Sequence, residues 1–208
     1  MPLDLETLVA PDRTALVLQE VQNGVVGEPS ALPALAAAAA EVGLIPNAAR
    51  LAAAARALGI PVVHCTYEAR EDLRGTNTNA RLFAGVRKSP VRLIPGCEAA
   101  AVPEEIGMPA TDIHLPRVHG VGPVTGTQLD PVLRNLGVRT VVGVGVSVNI
   151  GMTDLAFTAV NLGYQVVFPR DAIAGVPVEY AAAVVENSLS LVVTLTTTDA
   201  VLAAWGSA

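Results

Sequence analysis

The sequence is poor in aromatic and basic residues. Only 3 Phe, 1 Trp and 3 Tyr occur among 208 residues, and 13 Lys and Arg stand against 19 Asp and Glu, which gives a formal net charge of −6. A surface that binds nucleic acid or an anionic membrane needs clustered basic side chains. We therefore expect no nucleic-acid partner and no membrane partner, and a small molecule as the substrate.

Cysteines and long apolar runs are also scarce. The two cysteines, Cys65 and Cys97, are too few for the disulfide framework of a small secreted protein. The first eleven residues carry acidic but no basic side chains, unlike a secretory signal. The Ala-rich stretch 34–40 ends at Glu41, well short of the roughly 18 apolar residues that a membrane helix requires. These absences favour a cytoplasmic protein.

Residues that hold metals or nucleotides do not occur at the required spacing. The sequence contains three histidines, His64, His114 and His119, in no H-x-x-x-H pattern, and it has no C-x-x-C pair. Gly143 and Gly145 lie between an apolar run and a helical pattern, but Val148 stands where G-x-G-x-x-G requires a small residue. We expect no metal ion and no cofactor.

Unbroken apolar runs predict the buried strands of a parallel sheet. They cover Thr14–Gln19, Ile60–Cys65, Thr140–Val146, Gln165–Pro169 and Leu191–Leu195, with a weaker sixth at Asp112–Leu115. Helical patterns over 46–58, 127–136 and 149–162 alternate with them, and each ends just before a glycine. This order predicts an α/β fold with a doubly wound, Rossmann-like parallel sheet and helices on both faces. We expect one domain over residues 1–208, with residues 70–109 as an excursion or lid.

Ligands of such a sheet bind at the carboxyl ends of its strands. That rule selects four segments, which are residues 19–24, 64–68, 117–122 and 147–151. Glu20 is the most informative residue among them, because a carboxylate at the edge of an apolar strand is partly desolvated, which favours proton transfer. The alternative is a rim carboxylate that pairs with Arg117, and the residues alone leave both interpretations open.

Two possible nucleophiles occur at the same edge. Residues 145–149 nearly spell G-x-S-x-G around Ser147, but the last glycine is missing, which favours a hydroxyl that caps the following helix. Cys65 ends its apolar run, where a reactive thiol and a simple buried side chain both fit the pattern.

Four motifs in sequence carry a resemblance to a known family. They are TALVLQEVQNG at 14–24, GTQLDPVLR at 126–134, VVGVGVSVNIGMTDLAFTAVNLGY at 141–164, and the pair Asp171-Ala172. In this order and spacing they resemble the isochorismatase-like, or cysteine hydrolase, superfamily over nearly the whole chain. The resemblance implies a six-stranded parallel sheet, a homodimer or homotetramer, and hydrolysis of C–N bonds in small amides or of a vinyl ether.

The same resemblance gives positions for the family's Asp, Lys and Cys triad. The Asp falls on Glu20. The Lys falls on Val118 by strict spacing, and on Arg117 or His119 after a shift of one residue. The Cys falls on Gly151, which has no side chain that could form a thioester with an amide.

Further site residues follow from the resemblance. The peptide bond between Val146 and Ser147 aligns with a cis bond in the family, and the N–H groups of Ser147 and Gly151 would then act as oxyanion donors. The remaining candidates for substrate contacts are Gln22, Asn23 and His64. An arginine at 117 would suit a substrate carboxylate through its planar fork of donors.

The sequence thus predicts an isochorismatase-like hydrolase of a small, carboxylated molecule. Glu20 would act as general acid/base without a cysteine nucleophile, as implied by the family branch that cleaves a vinyl ether by protonation. Departure at all three triad positions favours an alternative, a catalytically inactive homologue that serves as a ligand-binding or oligomeric scaffold. A third interpretation keeps thiol chemistry through Cys65 or Cys97.

Overall fold

The computed structural model describes residues 4–206, and its centre is one parallel sheet. The strands are β1 (Thr14–Gln19), β2 (Val62–Cys65), β3 (Ile113–His114), β4 (Thr140–Val146), β5 (Gln165–Pro169), β6 (Ile173–Ala174) and β7 (Thr194–Thr196). The order across the sheet is β3-β2-β1-β4-β5-β7, and all pairs are parallel. The predicted doubly wound α/β fold is confirmed.

The sheet has seven strands rather than the expected six. The additional strand, β6, pairs with β4 at Gly145 and Val146, beyond the point where β5 has stopped pairing with β4 at Val142. Two residues are too short to give an apolar pattern, which is why the sequence does not reveal this strand. The predicted run at 191–195 is also displaced, because residues 189–191 form a helical turn before β7 begins at Thr194.

Helices cover both faces of the sheet. They are α1 (Leu5–Leu8), α2 (Asn23–Val26), α3 (Pro33–Glu41), α4 (Leu44–Ala57), α5 (Arg81–Lys88), α6 (Leu129–Asn135), α7 (Thr153–Asn161), α8 (Val178–Asn187) and α9 (Thr198–Ala204). Within residues 4–206, no helix combines the length and the apolar character needed to cross a bilayer. A π-helical turn, Val148–Met152, connects β4 to α7.

The two faces of the sheet bury separate hydrophobic clusters. Leu16 and Leu18 of β1 point to one face, where α3, α4 and α9 supply residues such as Leu51 and Val201. Ala15 and Val17 point to the other face, against α6, α7 and α8. Because side chains alternate along a strand, Gln19 shares the second face and lies at the base of the turn that leads into α7.

Candidate active site

The register of the sheet brings the ends of β1, β2 and β4 together. Gln19, the last residue of β1, pairs with Cys65 on one side and with Gly145 on the other. Glu20 follows, and its N–H donates to the Cys65 carbonyl at 2.9 Å. The φ of Glu20 is 52°, in the left-handed region that costs a residue with a side chain about 1–3 kcal/mol. Such strain clusters at functional sites, which supports Glu20 as a site residue.

Arg117 forms an ion pair with Glu20. Its Nη2 atom contacts Oε1 of Glu20, and the Arg117 side chain is only 3% exposed whereas that of Glu20 is 23% exposed. The Nε–H of Arg117 donates to the Gly122 carbonyl at 3.0 Å. The guanidinium carbon lies 5.7 Å from the centre of the Tyr67 ring. Arg117 is therefore the sequence candidate that contacts the Glu20 carboxylate directly.

Gly151 is buried in the π-helical turn that follows β4. A Cβ atom at this position would lie 2.9 Å from Nε2 of Gln19 and 3.0 Å from the Val121 carbonyl oxygen. The side chain of Gln19 therefore fills much of the space that a side chain at position 151 would need. Gln19 is itself completely buried, and neither its amide nitrogen nor its amide oxygen has a hydrogen-bond partner among the described residues.

The two cysteines differ in their surroundings. Burial raises the pKa of the Cys65 thiol to about 12, so that the thiolate is essentially absent at neutral pH. Cys97 is half-buried, and its thiol donates to the Arg92 carbonyl at 3.2 Å. Cys65 thus behaves as a buried apolar side chain, the simpler of the two interpretations of its position.

A cleft of about 730 Å³ opens beside the ion pair. Its walls are residues 75–79 from the long excursion, residues 119–122, Thr125, Gly126 and Asp154. His119 lies in this wall, whereas Glu20, Arg117 and Gly151 are not part of it. Gly122 joins the two regions, because it lines the cleft while its carbonyl accepts the hydrogen bond from Arg117.

Asp154 is a site residue that sequence reasoning missed. It lies in the first turn of α7 and lines the cleft, and its Oδ2 atom is buried without a hydrogen-bond partner within residues 4–206. Burial raises the pKa of the Asp154 carboxyl, and the charge of Arg117 only partly offsets this. Acidic residues are common in the first turn of helices, because they lie near the positive end of the helix dipole. A single aspartate at this place therefore gives no reason to select it from the sequence.

The side chains of Gln22 and Asn23 do not line the cleft. They form hydrogen bonds to backbone groups of neighbouring segments instead. The Gln22 amide donates to the carbonyls of Tyr67 and Ala100, and its oxygen accepts from the Tyr67 N–H at 2.8 Å. The Asn23 amide donates to the Glu98 carbonyl at 3.2 Å. Gln22 thus binds the start of α2 to the chain after β2 and to the loop after α5, and Asn23 binds it to that loop alone.

The peptide bond between Val146 and Ser147 is cis, as the alignment with the family implies. Val146 ends β4, and the Ser147 carbonyl accepts hydrogen bonds from the N–H groups of Ile150 and Met152. The Ser147 hydroxyl donates to Oδ1 of Asn149 at 2.6 Å and makes no capping bond to the helix. The predicted cap by the hydroxyl is therefore wrong, because no backbone N–H of the following turn donates to the hydroxyl oxygen.

His64 faces away from the cleft, contrary to its selection as a substrate contact. The ring is 1% exposed, and Nε2 lies 2.7 Å from Oδ2 of Asp112. Arg56 also contacts Asp112, with Nη2 2.7 Å from the same oxygen. The alternation of side chains along β2 sends His64 toward α4, which explains why a residue at the edge of the sheet does not reach the cleft.

This buried histidine predicts a pH dependence of stability. Burial lowers the pKa of His64 below its usual 6.5, although the hydrogen bond and charge of Asp112 oppose the shift. The unfolded chain therefore takes up a proton that the folded chain resists, and the free energy of unfolding should fall as the pH drops through about 6.5. Urea denaturation at several pH values measures this. The variant His64→Gln does not titrate and should have a flatter dependence, and equal slopes would contradict the prediction.

A family model described as "Isochorismatase domain" matches residues 14–200. An uncharacterized isochorismatase family protein, YwoC of Bacillus subtilis (strain 168), is 43% identical over 53 residues, a stretch that spans 26% of this chain and 28% of that relative. An isochorismatase family protein from Burkholderia thailandensis has a solved structure with a TM-score of 0.75 and 26% identity, over 94% of this chain and 96% of that one. A cysteine hydrolase from Pseudomonas syringae pv. phaseolicola 1448A superimposes with a TM-score of 0.83 and 22% identity, over 96% of this chain and 95% of that one.

Across residues 4–206, no three His, Cys, Asp or Glu side chains form a group that could hold a metal ion.

Proposed function

Since the chain belongs to the isochorismatase family of hydrolases, we propose that it cleaves a small molecule by acid/base catalysis at Glu20 and without a cysteine nucleophile. The observation that carries the proposal is the Glu20–Arg117 ion pair, on strained backbone at the carboxyl edge of the sheet. Gly151 stands at the position that aligns with the family's cysteine nucleophile, and it supplies no side chain.

The ion pair supports two reactions of the same carboxyl group. As a base, the Glu20 carboxylate takes a proton from water, the hydroxide adds to an amide carbonyl, and Glu20 gives the proton to the amine nitrogen as the C–N bond breaks. As an acid, protonated Glu20 transfers its proton to the terminal carbon of a vinyl ether, and water adds to the resulting cation and returns one proton to the Glu20 carboxylate. The C–O bond of the hemiketal then breaks as its hydroxyl proton passes to the departing oxygen, which leaves a carbonyl compound and an alcohol. Arg117 holds the carboxyl group in position during either reaction, and the N–H groups of Ser147 and Gly151 are the proposed donors to the developing oxyanion.

The substrate is proposed to enter through the cleft beside Gly122. Polar side chains from residues 76–79 line one wall, and His119 lines another, where it could contact a carboxylate on the far end of the substrate. Arg117 suits a carboxylate less well than the sequence implied, because its charge is already matched by Glu20. A carboxylated substrate would therefore place its charge toward His119.

The experiment is a screen of purified protein against small amides, ureas and enol ethers, followed by removal of both thiols. The variant Cys65→Ala, Cys97→Ser should keep kcat within about twofold of the wild-type value on any substrate found, because neither thiol takes part. Alanine is chosen at position 65 since a buried serine hydroxyl would need a partner. A loss of turnover in the folded double variant would favour thiol chemistry instead.

An inactive homologue remains the second candidate function. The filling of the space at Gly151 by Gln19 favours it, since no nucleophile fits there without a shift of the surrounding atoms. Such a protein would bind the same small molecules and release no product. Turnover above the uncatalysed rate for any compound in the screen excludes this candidate.

The assembly and location are proposed from family membership. We propose a homodimer or homotetramer in the cytoplasm. Light scattering on the purified chain measures the number of subunits, and a monomer at micromolar concentration would contradict the proposal.

A further inference from the structure

Most of the buried polar side-chain atoms without hydrogen-bond partners belong to residues beside the proposed site, and His64 is the exception. Within residues 4–206, the side-chain atoms of this kind are Nε2 and Oε1 of Gln19, Nη1 of Arg117, Oδ2 of Asp154 and Nδ1 of His64. Buried polar groups are nearly always paired, and an unpaired group retains the cost of its lost hydration. A group of them in one place therefore indicates a missing partner.

Contacts link the atoms of Gln19, Arg117 and Asp154 through two neighbouring residues. A Cβ atom built on Gly151 would lie 2.9 Å from Nε2 of Gln19 and 3.0 Å from the Val121 carbonyl oxygen. A Cβ atom built on Gly122 would lie only 1.7 Å from Oδ2 of Asp154, so the Asp154 carboxyl packs directly against Gly122. The Gly122 carbonyl accepts the hydrogen bond from Arg117. Gly122 thus lies directly against Arg117 and Asp154, and Val121 and the Gln19 amide lie on either side of Gly151.

The same segment forms the wall of the cleft. Residues 119–122 and Asp154 line the cleft, whereas Gln19 and Arg117 do not. Gly120 and Gly122 in this segment have no side chains to oppose a change of backbone angles. A small shift of residues 121 and 122 would open the unpaired atoms to a molecule in the cleft.

The unpaired atoms define what such a molecule must offer. Gln19 supplies both a donor and an acceptor, Arg117 a donor, and Asp154 a carboxyl oxygen. The charge of Arg117 is matched by the Glu20 carboxylate, so no free positive charge remains for an anion. A carboxylate here would also face Asp154. The best match is an uncharged group that both donates and accepts hydrogen bonds.

We propose that Gln19 and Asp154 are specificity-determining residues, which together with Nη1 of Arg117 bind an uncharged, donor-and-acceptor group of the substrate beneath residues 121–122. In this arrangement Gln19 occupies the space of a nucleophile and uses its amide to hold the substrate. The proposal rests on the hydrolase site described above, but it concerns binding and is tested without turnover.

The test compares benzamide with benzoate, which share a shape and differ in charge. Titration calorimetry or ligand-observed NMR on the wild-type protein should show benzamide bound at least about tenfold more tightly than benzoate. The variant Gln19→Leu should lose about tenfold of the benzamide affinity, since the amide contacts are removed. It should also raise the melting temperature, because two buried unpaired polar atoms disappear.

A matched control is Gln165→Leu, the same substitution at the exposed first residue of β5. It should leave both affinities unchanged. Equal binding of benzamide and benzoate to the wild-type protein would overturn the proposal without any variant. A lower melting temperature of Gln19→Leu, or failure to fold, would also overturn it, because the amide would then be structural. Turnover that does not depend on Glu20 would refute the catalytic proposal and leave the binding preference intact, which separates the two.

Discussion

Replacing Glu20 with glutamine should remove most of the hydrolysis, and we expect kcat to fall by about 10²–10⁴-fold on whichever substrate the screen identifies. Glutamine is nearly the same size as glutamate but cannot donate or take up the proton in either reaction. The backbone at position 20 keeps its hydrogen bond to Cys65, so the fold should persist. Steady-state kinetics on the folded variant measures the effect.

The matched control for Glu20→Gln is Glu68→Gln. Glu68 is a largely buried carboxylate at the same edge of the sheet, where it accepts a hydrogen bond from Thr66 at 2.9 Å and lies 2.9 Å from the His114 ring nitrogen. It takes no part in the proposed chemistry, so its neutralisation should leave kcat close to the wild-type value. Full activity in Glu20→Gln, or an equal loss in both variants, would refute the role of Glu20.

Replacing Gly145 with alanine should have the largest effect on stability. A Cβ at this position would lie 2.1 Å from the backbone carbonyl oxygen of Gln19 on the adjacent strand, and the φ of Gly145 is 124°. Neither strand can move away without breaking the ladder between β1 and β4. We expect a loss of more than about 4 kcal/mol in the free energy of unfolding, or no folded protein. Urea denaturation measures it.

A second glycine separates the steric clash from the backbone strain. Gly137 also has a positive φ, 73°, but no atom lies within 4 Å of a Cβ built there. Gly137→Ala should therefore cost only about 1–2 kcal/mol, the strain of a left-handed residue with a side chain. If both variants lost the same stability, the close approach of Gln19 to Gly145 would not be the cause.

The sheet could be predicted because its pattern is local. Apolar runs gave β1, β4 and β5 with their observed bounds, and the glycines at 59, 137 and 163 marked the helix ends. The two-residue strand β6 escaped detection, since its pairing with β4 depends on the path of the chain after β5 and not on composition. The start of β7 at Thr194, rather than at the predicted Leu191, could not be read from composition for the same reason.

The candidate site was only partly predictable from the sequence. Glu20 and Arg117 could be selected because each follows a strand of a parallel sheet, and they form an ion pair. Gln19 begins the segment 19–24 that the strand ends select, but it is not a candidate from the sequence, because it lies inside a predicted buried strand. Asp154 gave no signal, because its burial against Gly122 depends on how α7 packs beside a loop more than thirty residues earlier. The sequence could not show that His64 turns toward α4.

The contact between Gln19 and Gly151 couples two positions that are far apart in the chain. Returning a cysteine to position 151 alone would force its Cβ against the Gln19 amide and the Val121 carbonyl. Shortening Gln19 alone would open an empty space and supply no thiol. A side chain at position 151 therefore requires the Gln19 amide to move, and a search for cysteine chemistry on this scaffold is best made with a paired library at positions 19 and 151.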